Sequence, residues 1–170
     1  MTSDFFLVQK IRNGDELAGN QFVEKYSLIN QYCFLHIRNK ECDEDMTQET
    51  FVRFYKAILK YANIRKIKNY LYSIAGNILK NYYKKKKEIL LDQLPETEKD
   101  NLTELEIRLD IERALDQLPE EIKEITILFF FQGLKQKEIA ALLHIKLSLV
   151  KYRISKAKEL LSKQLEVGRE

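Results

Sequence analysis

Residues 133–161, GLKQKEIAALLHIKLSLVKYRISKAKELL, decide how the rest of the chain is read. Ile139, Ala140, Leu143 and Ile145 fall at helical spacing, and the pattern restarts at Leu147 with Val150, Ile154, Ala157 and Leu161. The restart predicts two helices with a short turn at residues 144–146. Ala140 is small where the second helix must cross closely, and Val150 and Ile154 supply that helix with an apolar underside. Its opposite face carries Lys151, Tyr152, Ser155, Lys156 and Lys158. This is the layout of a helix-turn-helix whose second helix enters the DNA major groove. A helical hairpin with a merely solvated lysine face has a similar composition. The coincidence of small crossing residue, turn and basic second face is what favours DNA.

Composition sets the frame around that stretch. A chain of 170 residues holds one medium domain or two small helical ones, and either can bury a core. Five Gly and two Pro are few for a β-rich or loop-rich fold, so an all-α protein is expected. Cys33 and Cys42 have no partners at metal-ligand spacing and read as free thiols of a reducing cytoplasm. The start, MTSDFFLVQKIRNGDE, lacks a basic leader followed by an apolar core, and no apolar run reaches membrane-spanning length. The expectation is a cytoplasmic protein with no membrane insertion.

From the N-terminus, residues 4–13 are short and amphipathic, with Ser3 or Asp4 as cap and Gly14 as stop. Asp15 can cap a second helix running through Phe22, Tyr26, Ile29 and Tyr32 towards His36, a histidine expected to be half-buried rather than a ligand. Residues 38–43 read as a turn, and a third helix starts at Asp43, where acids meet the positive end of its dipole. Met46, Phe51, Phe54 and Ile58 can face a core, leaving Asp45, Gln48, Glu49 and Arg53 on an outward polar face that physics alone reads as solvated. A fourth helix at residues 67–87 has Leu71, Ile74, Ala75 and Ile78 as its apolar stripe. Asn77 and Asn81 lie one turn apart on another face, with Tyr72 and Tyr83 near them, and Lys80 and the run 84–87, beginning at Lys84, add charge. Cations interleaved with aromatics and amides suit phosphates and exposed bases, although a lysine run at a helix end is also an ordinary solvated feature.

The sign of the charge then reverses: residues 92–121 hold eleven acids against three bases. Residues 91–101, LDQLPETEKDN, have low apolar content and a Pro, and read as a flexible acidic linker. A capping box, Thr103 with Glu106, starts the next helix, and Pro119 suits the first turn of the one after it. The expected architecture is two small helical domains, 1–90 and 102–170, joined by the 91–101 linker, the C-terminal one a helix-turn-helix.

Four collinear segments carry a family resemblance: DEDMTQETFVRFYKAI at 43–58, YLYSIAGNILKNYYKKKK at 70–87, LDQLPEEIKEITILFFFQGLKQKEIAALL at 115–143 and VKYRISKAKELL at 150–161. Together they resemble the bacterial RNA polymerase sigma factors of the extracytoplasmic-function (ECF) group, over nearly the whole chain. The resemblance implies promoter-specific initiation with polymerase core, and neither an active site nor a cofactor in this chain. It makes Asp45, Gln48, Glu49 and Arg53 candidates for docking on the clamp coiled coil of the beta-prime subunit. It places Tyr61, Asn77 and Asn81, with Lys80 and Lys84 beside them, at the unpaired minus-ten element. It gives the duplex minus-35 element to Lys151, Tyr152, Ser155, Lys156 and Lys158. An anti-sigma factor is a further implied partner.

The sequence departs from the family pattern at four places. Tyr70 stands where a Trp is common, and an Arg often found before the helix-turn-helix is replaced within Phe129-Phe130-Phe131. The turn carries His144 in place of Gly, and His tolerates a left-handed backbone better than most residues; Leu149 stands where Thr is frequent. These changes bear on minus-35 affinity more than on the fold. Two other classes compete: a conventional repressor or activator with an N-terminal dimerisation or sensing module, and an enzyme or structural helical protein. Nothing in the sequence pairs a nucleophile with a base or builds a phosphate-binding Gly loop, which disfavours catalysis.

Overall fold

A computed structural model describes residues 3–60, 66–90 and 105–167. Tyr61, the 91–101 linker and Thr103 of the expected capping box lie outside the described residues. The chain divides into two units, Met1–Leu91 and Asp92–Glu170. Helices α1 (Asp4–Arg12), α2 (Glu16–Lys25), α3 (Leu28–Ile37), α4 (Lys40–Ile58) and α5 (Ile67–Leu90) build the first. The second has α6 (Leu105–Asp116), α7 (Glu120–Thr126) running into a π-helical turn (Ile127–Phe131), then α8 (Gln136–Leu143) and α9 (Leu147–Val167).

An aromatic core holds the first unit together. Phe22 stacks on Phe54 with ring centres 4.5 Å apart and meets Phe51 edge-on at 6.5 Å, so α2 and α4 are joined through three rings. Tyr32 of α3 meets Tyr72 of α5 edge-on at 5.4 Å. Arg12 Nε donates to the Ile58 carbonyl at 2.9 Å, tying α1 to a backbone acceptor at the end of α4. The ring centre of Tyr70, which stands where a Trp is common in the family, lies 6.4 Å from that of Phe54, so the position keeps an aromatic against the core.

Three local expectations need correction. The helix expected to run unbroken from Asp15 towards His36 is two helices. At the break the Ile29 and Asn30 amides donate to the Tyr26 and Ser27 carbonyls, each three residues back. A tight 3₁₀-like turn keeps Phe22, Tyr26, Ile29 and Tyr32 all buried, which is why the apolar period hides the break. Helix α4 starts at Lys40, three residues before Asp43, because Asn39 is the better cap: its Oδ1 accepts the Cys42 amide at 3.1 Å. The turn shrinks to Arg38 and Asn39, with Arg38 in the left-handed region at φ 57°. Pro119 occupies the N-cap of α7 instead of its first turn.

The early start of α4 carries Asp43 into the fold, where it is 3% exposed and its Oδ1 has no hydrogen-bond partner. Desolvation raises its pKa above the ordinary carboxylate value. A raised folded pKa gives a contribution that is full below the unfolded value and lost as pH rises through the folded one, so the charged form at neutral pH is the costly one. Asp43→Asn, which removes the buried charge, is therefore expected to stabilise the first unit at pH 7 relative to its stability at acid pH. Thermal melts should show that gain shrinking as pH falls towards the ordinary carboxylate range.

Candidate nucleic-acid and polymerase interfaces

Helix α5 is two-sided, and its sides are set by residue type. Leu71, Tyr72, Ala75, Ile78 and Leu79 are buried, while Asn77, Lys80, Asn81 and Lys84 are exposed. At 3.6 residues per turn, Ser73, Asn77, Lys80, Asn81 and Lys84 fall within one stripe. The structure thus brings the four described minus-ten candidates together. Tyr72, expected beside the two asparagines, instead lies on the core side against Tyr32. Tyr83 is 40% exposed and its hydroxyl donates to the His36 carbonyl, bracing the basic part of α5 against α3. His36 is buried, its Nδ1 2.8 Å from the Tyr32 carbonyl oxygen, as suits a structural histidine.

On α4, Phe51, Phe54 and Ile58 are buried, and Asp45, Gln48 and Arg53 are exposed with Glu49 half-buried. Arg53 Nε donates to Glu49 Oε1 at 2.6 Å, one helical turn away. Val52, 43% exposed, sits among these polar residues and gives the face an apolar centre that sequence reasoning overlooked. Burial pushes the Cys33 thiol up to about 11, so at neutral pH it is an inert core residue, and both cysteines are free.

In the second unit the turn at 144–146 forms as expected. His144 adopts φ 54°, ψ 41°, and the Ile145 amide reaches back to the Ala140 carbonyl at 3.1 Å. At the start of α8, Glu138 Oε2 accepts the Lys135 amide at 2.7 Å. Val150, Ile154 and Ala157 are buried beneath α9, which turns Lys151, Tyr152 and Ser155 to solvent, with Tyr152 62% exposed. Lys156 is half-buried and ion-paired with Glu159 at 3.0 Å. Lys158 stands at the edge of the basic face, where it also lines an apolar cleft of 440 Å³ with Ile111, Leu115, Phe130 and Leu161.

Two charged side chains of α9 escaped the sequence reading. Arg153 donates to Glu121 and thereby ties α9 to the start of α7, a contact between distant residues with no local signature. Glu159 is held from both sides, by Lys156 and by Lys163 at 2.9 Å. Those hydrogen bonds, Lys163 first, lower its pKa to about 2, so the carboxylate is ionised at neutral pH. This signal was legible as i,i+3 and i,i+4 spacing.

The family profile "Sigma-70 region 2" matches residues 23–89, and "Sigma-70, region 4" matches residues 108–161. The chain is 30% identical to the ECF RNA polymerase sigma factor SigW of Bacillus subtilis, over 93% of this chain and 94% of that protein. The chain belongs to the ECF sigma factors. It is a promoter-specific transcription initiation factor of that family, all-α and built from the two sigma-70 regions. It is also 26% identical to the ECF sigma-E factor of Escherichia coli, with 96% and 95% of the two chains covered. Among solved structures, CnrH in complex with the cytosolic domain of CnrY has a TM-score of 0.77 at 22% identity, covering 96% of this chain and 97% of that one. RpoE of Bartonella quintana, solved with the anti-sigma factor NepR, has a TM-score of 0.71 at 20% identity, covering 86% and 98%. The two likenesses support the helical fold of this sigma factor. The polar face of α4 and the amide face of α5 fall inside the region 2 match, and the basic face of α9 inside the region 4 match.

Proposed function

We propose that residues 1–90 of this ECF sigma factor bind polymerase core and the melted minus-ten strand, and that residues 102–170 hold the duplex minus-35 element. The observation that carries the reading is α5 itself. Two asparagines and two lysines share one exposed stripe, on a helix whose other side is locked into an aromatic core. Rigid support matters because an Asn reads a base edge well only if its own position is fixed. The α4 face, with Asp45, Gln48, Glu49 and Arg53 around Val52, is the docking surface for the beta-prime clamp coiled coil. Tyr61 belongs with the minus-ten set by sequence. The factor performs no chemistry of its own, since nucleotidyl transfer belongs to the polymerase, and it works in the cytoplasm. Among the described residues, no helix is long and apolar enough to cross a membrane. The solved RpoE bound to the anti-sigma factor NepR supports such a protein as a further partner here.

Substitutions on α9 test the duplex half. Lys151→Ala should weaken binding to all duplexes alike and reduce the salt slope by about one if Lys151 meets phosphate, or relax one base position at a cost of roughly 1 to 3 kcal/mol if it meets a guanine. Lys156→Ala should act as a phosphate contact, by an amount muted by its existing pair with Glu159. Fluorescence anisotropy across a salt series separates these outcomes. Unchanged promoter binding by both variants would mean that α9 is not the recognition helix.

A further inference from the structure

Helix α9 carries two columns of lysines. Lys151 and Lys158 are seven residues apart, as are Lys156 and Lys163, and helical geometry sets the columns roughly 140° apart around the axis. The stripe between them holds Ser148, Tyr152, Ser155 and Glu159, all exposed. Glu159 and, seven residues on, Glu166 share that register, and Glu159 is the one flanked there by Lys156 and Lys163. Its Oε1 accepts from Lys163 Nζ at 2.9 Å and its Oε2 from Lys156 Nζ at 3.0 Å, so both oxygens are held by the same lysine column.

A helix lying in the major groove has phosphates along both walls and base edges on the floor. Two lysine columns so separated match the walls, which turns the stripe between them to the floor. A carboxylate in that place lowers affinity for DNA in general, because it repels phosphates and occupies two cations that could neutralise them. It gains a use against one kind of base edge. An ionised carboxylate only accepts hydrogen bonds, so it is repelled by the N7 and O6 of guanine and the O4 of thymine and is matched by the exocyclic amine of cytosine. Exposed ion pairs such as these are weak enough for a phosphate to displace.

We infer that Glu159 is a specificity-determining residue of the duplex contact. In the free protein Lys156 and Lys163 hold it. On DNA the two lysines pass to the phosphates of the adjacent wall and the freed carboxylate accepts from the N4 amine of a cytosine. The inference rests on the duplex-binding reading of α9 given above.

The test selects duplexes from a randomised pool with the full chain, comparing the parent protein with Glu159→Ala and Glu159→Gln. The parent should select a consensus with cytosine at one position. Glu159→Ala should lose preference there, on the order of tenfold, and keep every other position. Glu159→Gln should move that position towards adenine, whose N6 and N7 suit an amide. A Glu159→Ala consensus identical to the parent's at every position would overturn the inference and leave Glu159 as a clamp within the helix. A parent protein that shows neither a consensus nor salt-dependent binding, and that Lys151→Ala leaves unaltered, would instead overturn the duplex-binding reading and the inference with it.

Discussion

A protein carrying both Asn77→Ala and Asn81→Ala is expected to fold, bind polymerase core normally and fail to open promoters efficiently. Both side chains are exposed on the α5 stripe, and exposed helical Asn has lower helix propensity than Ala, so the substitutions should leave stability unchanged or raise it by a few tenths of a kcal/mol. If each asparagine hydrogen-bonds the edge of a captured base, each loss costs on the order of 1 to 3 kcal/mol. Two such losses reduce open-complex formation by at least about 30-fold if they add. The defect should follow the identity of the minus-ten bases and persist on a template melted in advance, because the contact is to the single strand. Parent-like transcription by the double variant would show that this stripe is only solvated, and would move the melted-strand site towards Tyr61 and the lysines at 84–87.

Phe54→Ala should have the largest effect on stability. Phe54 is fully buried and stacks on Phe22 at 4.5 Å with 9° between the ring planes. Truncating a buried Phe costs about 3 to 5 kcal/mol, against a typical total of about 5 to 15 for a domain. The melting temperature of the first unit should fall by at least about 10 °C. Each unit has its own core, with Leu115, Ile125, Leu128, Val150 and Ile154 buried in the second, so the loss should stop there. Hydrogen exchange on the full chain should show protection lost from α1 to α5 and retained from α7 to α9. Loss of protection in both units together would mean that they fold as one, contrary to the division at the linker.

How much of this was legible in the sequence varied with the range of the interaction. The helix-turn-helix was read almost to the residue because its signals are local: a change of phase in the apolar period, a small residue at the crossing and a His able to take a positive φ. The break at Tyr26 and Ser27 was hidden, since a 3₁₀-like turn preserves the inward phase of the apolar residues that periodicity detects. The start of α4 differs from the expected Asp43 because three acids there resemble dipole partners, whereas Asn39, four residues earlier, closes a hydrogen bond to the Cys42 amide. On α5, Tyr72 was assigned to the amide face on proximity in sequence, and its partner Tyr32 is forty residues away, where no pattern points. The tie between Arg153 and Glu121 is of the same long-range kind.

The most direct measurement is association of the purified chain with RNA polymerase core, followed by mapping of transcription starts on genomic DNA. The expected result is a complex at micromolar concentration or tighter that initiates from a defined set of sites sharing a minus-ten and a minus-35 element. Asp45→Ala with Glu49→Ala should weaken that complex without changing the fold of the free chain. A well-folded protein that fails to bind core at micromolar concentration, yet binds operator-like duplex by itself, would contradict the assignment.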